Sequence, residues 1–301
     1  MLLLMSGRLM RFLILILVVS PGVRAEPAVP DATRNPLRAA FEAAGAELQK
    51  GPLNVPIAKQ AVLLLPGGYN FVGAESSRNL LEAMGNPGSD NVQGMIFPAG
   101  DDAAQWFIVV TFNPVGYIRD HDARSWKPDD VLAEIRKGTE AANGERRDHG
   151  LPELEVAGWV EPPQYDPDTH RLVWSLSSRL KGQAPETVSG INYNSVILGR
   201  DGYISMNLVT DSAAIEPLMP VARKLLASLE FDAGKRYADF QAETDKVAEY
   251  GLMALVAGVA AKKLGLLAMA GLFLAKFAKI IMAAVVLGLA GLVRIFGKKT
   301  S

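Results

Sequence analysis

The residues after Tyr250 constrain this chain most. Apolar blocks at 252–261, 264–275 and 280–293 are broken only by Lys262-Lys263 and by Lys276 and Lys279. A helix crossing a bilayer with Lys262-Lys263 at its centre costs about +5 to +7 kcal/mol for the lysines, and its apolar side chains return only about −3 to −5 kcal/mol. The window 277–296 differs, because Lys279 and Arg294 lie near its ends and can snorkel to the interfaces. At about 1.5 Å per residue that window covers roughly 30 Å, one hydrocarbon thickness. The pattern predicts a transmembrane helix over 277–296, an amphipathic or interfacial helical segment over 247–276, and a basic tail over 297–301. Lys262, Lys263, Lys276 and Lys279 would then lie outside, outnumbering Arg294, Lys298 and Lys299 on the cytoplasmic side. The positive-inside rule prefers the reverse, so a helical hairpin lying on the membrane stands as the alternative.

The other end is apolar too. Arg8 and Arg11 precede an apolar run from Phe12 to Val19, followed by Ser20-Pro21-Gly22 and by Val23 and Ala25 at positions suited to cleavage. This order predicts a signal peptide over 1–25, with the domain facing the periplasm or cell exterior. The run is shorter than the roughly 20 residues a span requires. No cysteine is present, which excludes a disulfide framework, a thiol nucleophile and a cysteine-borne lipid anchor. A net charge of −1 gives no electrostatic reason to expect nucleic acid as a partner.

Between the two ends, 26–246 is expected to form one domain with a complete core, separable from residues 251–301. Asn35 and Pro36 open a helix carrying Leu37, Phe41, Ala44 and Leu48. Strand 61–65 ends at Pro66-Gly67-Gly68, helix 75–84 ends at Gly85-Asn86-Pro87-Gly88, and strands 94–98 and 106–112 follow. Pro128, Asp129 and Asp130 open a helix to about Arg147, acids first and bases last, as the helix dipole prefers. Strands 154–160, 171–177, 191–198 and 203–210 come next, the last two joined by a hairpin at Gly199-Arg200-Asp201-Gly202. A final helix over 213–229 follows, capped by Asp211 or Ser212. Helices interrupt runs of consecutive strands, so the predicted class is α+β: an antiparallel sheet with flanking helices, plus the C-terminal membrane helices.

No phosphate loop, dinucleotide fingerprint or serine elbow occurs. Asp120-His121-Asp122 has metal-ligand chemistry. On an extended strand, however, Asp120 and Asp122 would point away from His121, which favours a polar strand exit. Asp166 with His170 could pair a carboxylate with an imidazole, but 161–166 reads better as a stiff connection with Asp166 capping a turn. Asn192-Tyr193-Asn194 offers a hydrogen-bonding face or fixes a sheet edge. Trp106, Trp126, Trp159 and Trp174 are expected mostly in the core. No catalytic residue, metal site or cofactor is assigned. A hydrolase or metal-dependent enzyme would require at least three of Asp120, His121, Asp122, His149, Asp166 and His170 to meet in one pocket.

Several of these residues fall in a wider pattern. Gly116-Tyr117-Ile118, Asp120 and Asp122 precede Gly138-Thr139, Asn143 and Arg146. Gly158-Trp159, Tyr165-Asp166, His170 and Trp174 come next, then Asn192-Tyr193-Asn194 and Leu198-Gly199-Arg200 with Gly202. Tyr237-Ala238-Asp239-Phe240, Asp245-Lys246 and Tyr250-Gly251 complete it. The pattern resembles a bacterial family catalogued as domain of unknown function 2167, over essentially the whole chain after the leader. His121 stands where that family has an acidic residue. The resemblance implies an exported, membrane-anchored protein with no assigned activity. Apart from the resemblance, the apolar C-terminal tail predicts contact with membrane lipid. The missing catalytic signatures, the tether and the strand-rich body point to a non-catalytic module that binds another envelope protein as its partner. The element order is also similar to domains of the PsbP type, an analogy of fold alone.

Overall fold

The computed structural model describes residues 36–84, 89–100, 106–125, 127–148, 152–184 and 190–257. The leader at 1–25, the span at 277–296, His149 and Trp126 lie outside the described residues.

Two helices and six strands come first: α1 (Pro36–Ala46), β1 (Gln49–Lys50), β2 (Leu53–Ile57), β3 (Ala61–Leu65), β4 (Tyr69–Gly73), α2 (Ala74–Ala83), β5 (Val92–Pro98) and β6 (Phe107–Asn113). A 3-10 turn (His121–Ser125) and the long α3 (Pro128–Asp148) precede β7 (Leu154–Asp166), β8 (Arg171–Leu180), β9 (Gly190–Leu198) and β10 (Tyr203–Asp211). The chain then forms α4 (Ile215–Ala227), β11 (Leu229–Phe231), a second 3-10 turn (Tyr237–Asp239) and α5 (Leu252–Ala257). The predicted α+β class and antiparallel pairing hold. The strands form an eight-stranded sheet ordered β1-β4-β5-β6-β10-β9-β8-β7 and a separate three-stranded sheet ordered β11-β3-β2. Asp211 accepts the amides of Ala213 and Ala214 at 2.9 and 3.0 Å, turning the chain into α4.

Alternation along the central strands sends side chains to two covers. Ile108, Val110, Tyr193, Ile204, Met206 and Leu208 face α4 and the small sheet, where Leu225, Leu63 and Ile57 meet them. On the opposite face, Met95, Phe107, Val109 and Val209 lie under α1 and α2. Further along that face, Leu172, Trp174, Leu176 and Val196 pack with Val131, Leu132 and Ile135 of α3. The Asn192-Tyr193-Asn194 run lies on an interior strand, not at a sheet edge. Trp106 and Trp174 are buried, and Trp159 is half-buried.

The edge strand β7 runs straight through Pro162-Pro163, where a connection was expected. Register shifts between Trp159 and Glu161 and between Glu161 and Gln164 absorb the prolines. An edge strand tolerates proline because its outer amide needs no ladder partner. Helix α3 ties this edge down. Arg136 donates to the Val156 and Ala157 carbonyls at 3.2 and 2.7 Å. The buried Asn143 side chain exchanges hydrogen bonds with the Leu154 backbone at 2.8 and 2.9 Å, standing in for a neighbouring strand. Arg146, also buried, donates to the Pro152 carbonyl, and burial lowers its guanidinium pKa.

The packing continues past Lys246. After β11 the chain returns along the end of the large sheet: Tyr117 N donates to Lys246 O at 2.8 Å, and Ala248 N to Tyr117 O at 2.9 Å. Gly116, at φ +94°, allows this approach, since a Cβ there would lie 2.6 Å from Lys246 O. Leu252 and Val256 are buried with Ile118, Trp174 and the α3 side chains. The core therefore includes residues beyond position 251, which the sequence had placed outside it.

Candidate functional site

The segment leaving β6 makes a turn where the sequence suggested a strand exit. Its carboxylates diverge, and each meets a different partner. Asp122 caps α5, accepting the amides of Leu252 and Met253 at 3.2 and 3.0 Å. Gly251 lets the carboxylate come this close, because a Cβ would sit 2.6 Å from Asp122 Oδ2. Asp120 turns the other way and accepts the Tyr165 hydroxyl at 2.7 Å.

Tyr165 has one hydrogen to give, and it goes to Asp120. Its oxygen accepts from His170 Nδ1–H at 3.1 Å, which assigns that tautomer. His170 Nδ1 itself lies 3.8 Å from Asp120 Oδ2. Burial, reinforced by the hydrogen bond to the Asp120 carboxylate, pushes the Tyr165 phenol well above its ordinary pKa. The tyrosine stays neutral, so it positions Asp120 without adding charge.

Behind this trio lies an aromatic stack. His170 sits 4.1 Å from the Tyr237 ring, Tyr117 stacks on Tyr237 at 4.4 Å, and Phe240 stacks on Tyr117 at 3.9 Å. Tyr237 donates its hydroxyl to Ile118 O at 2.8 Å. Burial raises the pKa of both Tyr117 and Tyr237. Close by, Arg200 holds Asp245 through Nε and Nη2, both at 2.7 Å.

In front of the trio opens a cleft of about 400 Å³. The turn contributes Asp120, His121 and Ala123, and α3 contributes Pro128 and Val131. The far wall is Pro163, Tyr165 and Pro167. Trp159 Nε1 donates to Pro128 O at 3.2 Å, joining the two sides. The volume falls in the range of small-ligand sites, with mostly apolar walls and a single anionic group.

Of the candidate ligands, Asp120 and His170 come together, and His121 shares the cleft with Asp120 from an exposed position. Asp166 caps its own turn, accepting from Asp168 N at 2.9 Å and Thr169 Oγ1 at 2.6 Å, and the Thr169 bond lowers its pKa. Among the described residues no group of three or more histidine or acidic side chains could hold a metal. Asn192 and Asn194 lie on the face opposite Tyr193; Asn207 Nδ2 donates to Asn192 Oδ1 at 3.2 Å. Tyr117, Tyr237 and Phe240 were not singled out as site residues. Their only signal was membership of the same motif set as Asp120 and His170.

The profile described as "Protein of unknown function (DUF2167)" matches residues 49–286. The chain belongs to this family. The DUF2167 residues quoted above now have places: Gly116, Tyr117, Asp120, Asp122, Tyr165, His170, Tyr237 and Phe240 meet around one end of the sheet. Asn143 and Arg146 hold α3 to β7. No curated protein matches the chain. Among solved structures, the solution structure of cyanobacterial PsbP (CyanoP) from Synechocystis sp. PCC 6803 is similar at 14% identity and a TM-score of 0.36. That likeness covers 62% of this chain and 94% of the cyanobacterial one, and at that score it carries no argument. The α+β class rests on the sheet and helices themselves.

Proposed function

We propose that this chain is an exported, membrane-tethered envelope protein whose body binds a partner at the Asp120 cleft. One observation carries the reading: the apolar tail begins inside the folded core. Leu252 and Val256 are buried and the first turn of α5 is capped by Asp122, so the body grips the start of the tail. Among the described residues no helix is long and apolar enough to cross a membrane. The tether therefore rests on the composition of 277–296 and on the leader pattern at 1–25. Binding is supported by a cleft of ligand size with a fixed carboxylate in an apolar setting.

Alkaline carbonate extraction of membranes and a tag placed after Ser301 test the tether. The protein is expected to stay in the carbonate pellet. Protease added outside spheroplasts should digest the body and spare the tag. Cleavage of the tag together with the body would replace the span by the surface hairpin. Release of the whole protein by carbonate would remove the integral anchor.

A further inference from the structure

The Asp120 carboxylate is half used. Oδ2 accepts the Tyr165 hydroxyl, while Oδ1 takes no hydrogen bond from any described residue. The Asp120 side chain keeps 29% of its surface exposed, and the residue lines the cleft. An acceptor held in place by a neutral tyrosine, beside apolar proline and valine walls, is matched by a cation on an aliphatic stem. The wall segments strengthen that preference. Residues 119–131 and 163–171 carry Asp120, Asp122, Asp129, Asp130, Asp166 and Asp168 against Arg119, Arg124, Lys127 and Arg171. Their field draws a cation toward the cleft and repels an anion.

We infer that the cleft receives a lysine or arginine side chain of an envelope protein partner, with its charged head on Asp120 and its stem along Pro128, Pro163 and Pro167. This rests on the binding reading of the same cleft and names its ligand. A snorkelling basic side chain suits the geometry, because its methylenes lie on apolar walls while its head keeps a hydrogen-bonded anion. Tyr165 is a positioning residue: it orients the carboxylate and needs no contact with the ligand.

The test uses the full chain in detergent and short glycine-serine peptides carrying one central lysine, arginine, acetyl-lysine or glutamate, titrated calorimetrically at low salt. Lysine and arginine peptides are expected to bind, weakening as salt is added, and acetyl-lysine and glutamate peptides at least tenfold less well. Asp120→Asn keeps the Tyr165 hydrogen bond and the side-chain volume, so the fold persists. It should weaken the lysine peptide at least tenfold with an unchanged thermal midpoint. Tyr165→Phe should weaken binding less, leaving the preference for lysine over acetyl-lysine in place. Equal binding to Asp120→Asn, equal binding of acetyl-lysine, or no binding at millimolar peptide would overturn the inference. Saturation of the cleft by vesicles rich in amine headgroups, with no peptide binding, would assign it to lipid and overturn it as well. A chain stripped by carbonate that still binds the lysine peptide refutes the tether and supports the cleft. An anchored chain that ignores the peptide does the opposite.

Discussion

Cutting the chain at two points a few residues apart measures how far the core extends. A chain ending at Ala257 keeps α5; one ending at Tyr250 loses Leu252, Val256 and both amides held by Asp122. Burial of a leucine and a valine is worth about 1.5–3 kcal/mol each. The lost cap adds about 1 kcal/mol. The sum, about 4–7 kcal/mol, is comparable to the whole stability of a marginal domain, about 5–15 kcal/mol. With a guanidinium slope of about 4 kcal/mol per molar, the unfolding midpoint should fall by roughly 1 M or more. Tryptophan fluorescence reads the transition directly, since Trp174 belongs to the same cluster as Leu252. Leu252→Ala in the full chain should give part of the loss, about 2–4 kcal/mol. Midpoints within about 0.2 M for the two shortened chains would refute the reasoning, because the slope then leaves less than about 1 kcal/mol for α5.

Acid should expose the clamp between Arg200 and Asp245. The Arg200 bonds hold the Asp245 carboxyl down at about 2, below its ordinary 3.8. A lowered folded-state value contributes stability that is full above the unfolded pKa and disappears as pH falls through the folded one. The pair should therefore weaken between about pH 4 and pH 2, and Arg200→Gln should flatten that part of a stability-against-pH curve. On the other sheet face, Arg223 pairs with the buried Glu161 and donates through Nε to Tyr193 Oη at 3.0 Å. Burial, followed by the nearby Glu161 carboxylate, raises the Tyr193 pKa to about 12. Arg223→Ala leaves that carboxylate without its counterion and should cost about 1–3 kcal/mol by denaturant unfolding, discounted because the arginine is half-exposed. Arg223→Lys should recover part of the loss.

Elements with a strong local pattern were legible in the sequence. The charge order of α3 and the alternation of Ile204, Met206 and Leu208 placed both correctly to within a residue or two. Strand β2 was not predicted; it contains Pro56, which its position at an edge of the small sheet tolerates. Strand β4, which starts directly after Gly67-Gly68, was not predicted either. The site was legible only as isolated candidates. Tyr165 meets Asp120 across 45 positions and Tyr237 meets Ile118 across 119, and no periodicity reports such meetings. The assumption of an extended strand at Asp120 hid the turn that sends Asp120 and Asp122 to different tasks.

That turn has a further consequence. With Asp120 in the cleft and Asp122 on the first turn of α5, binding site and tether are two residues apart in the chain. Residues 258–276 separate α5 from the proposed span, and even fully extended they reach at most about 65 Å. On the tethered reading the cleft therefore stays within that distance of the bilayer. A partner anchored in the same membrane then searches a thin layer instead of the bulk, and tethering on that scale supplies effective concentrations of order millimolar. A contact of one basic side chain, too weak to persist between freely diffusing molecules, becomes sufficient when both partners share that layer.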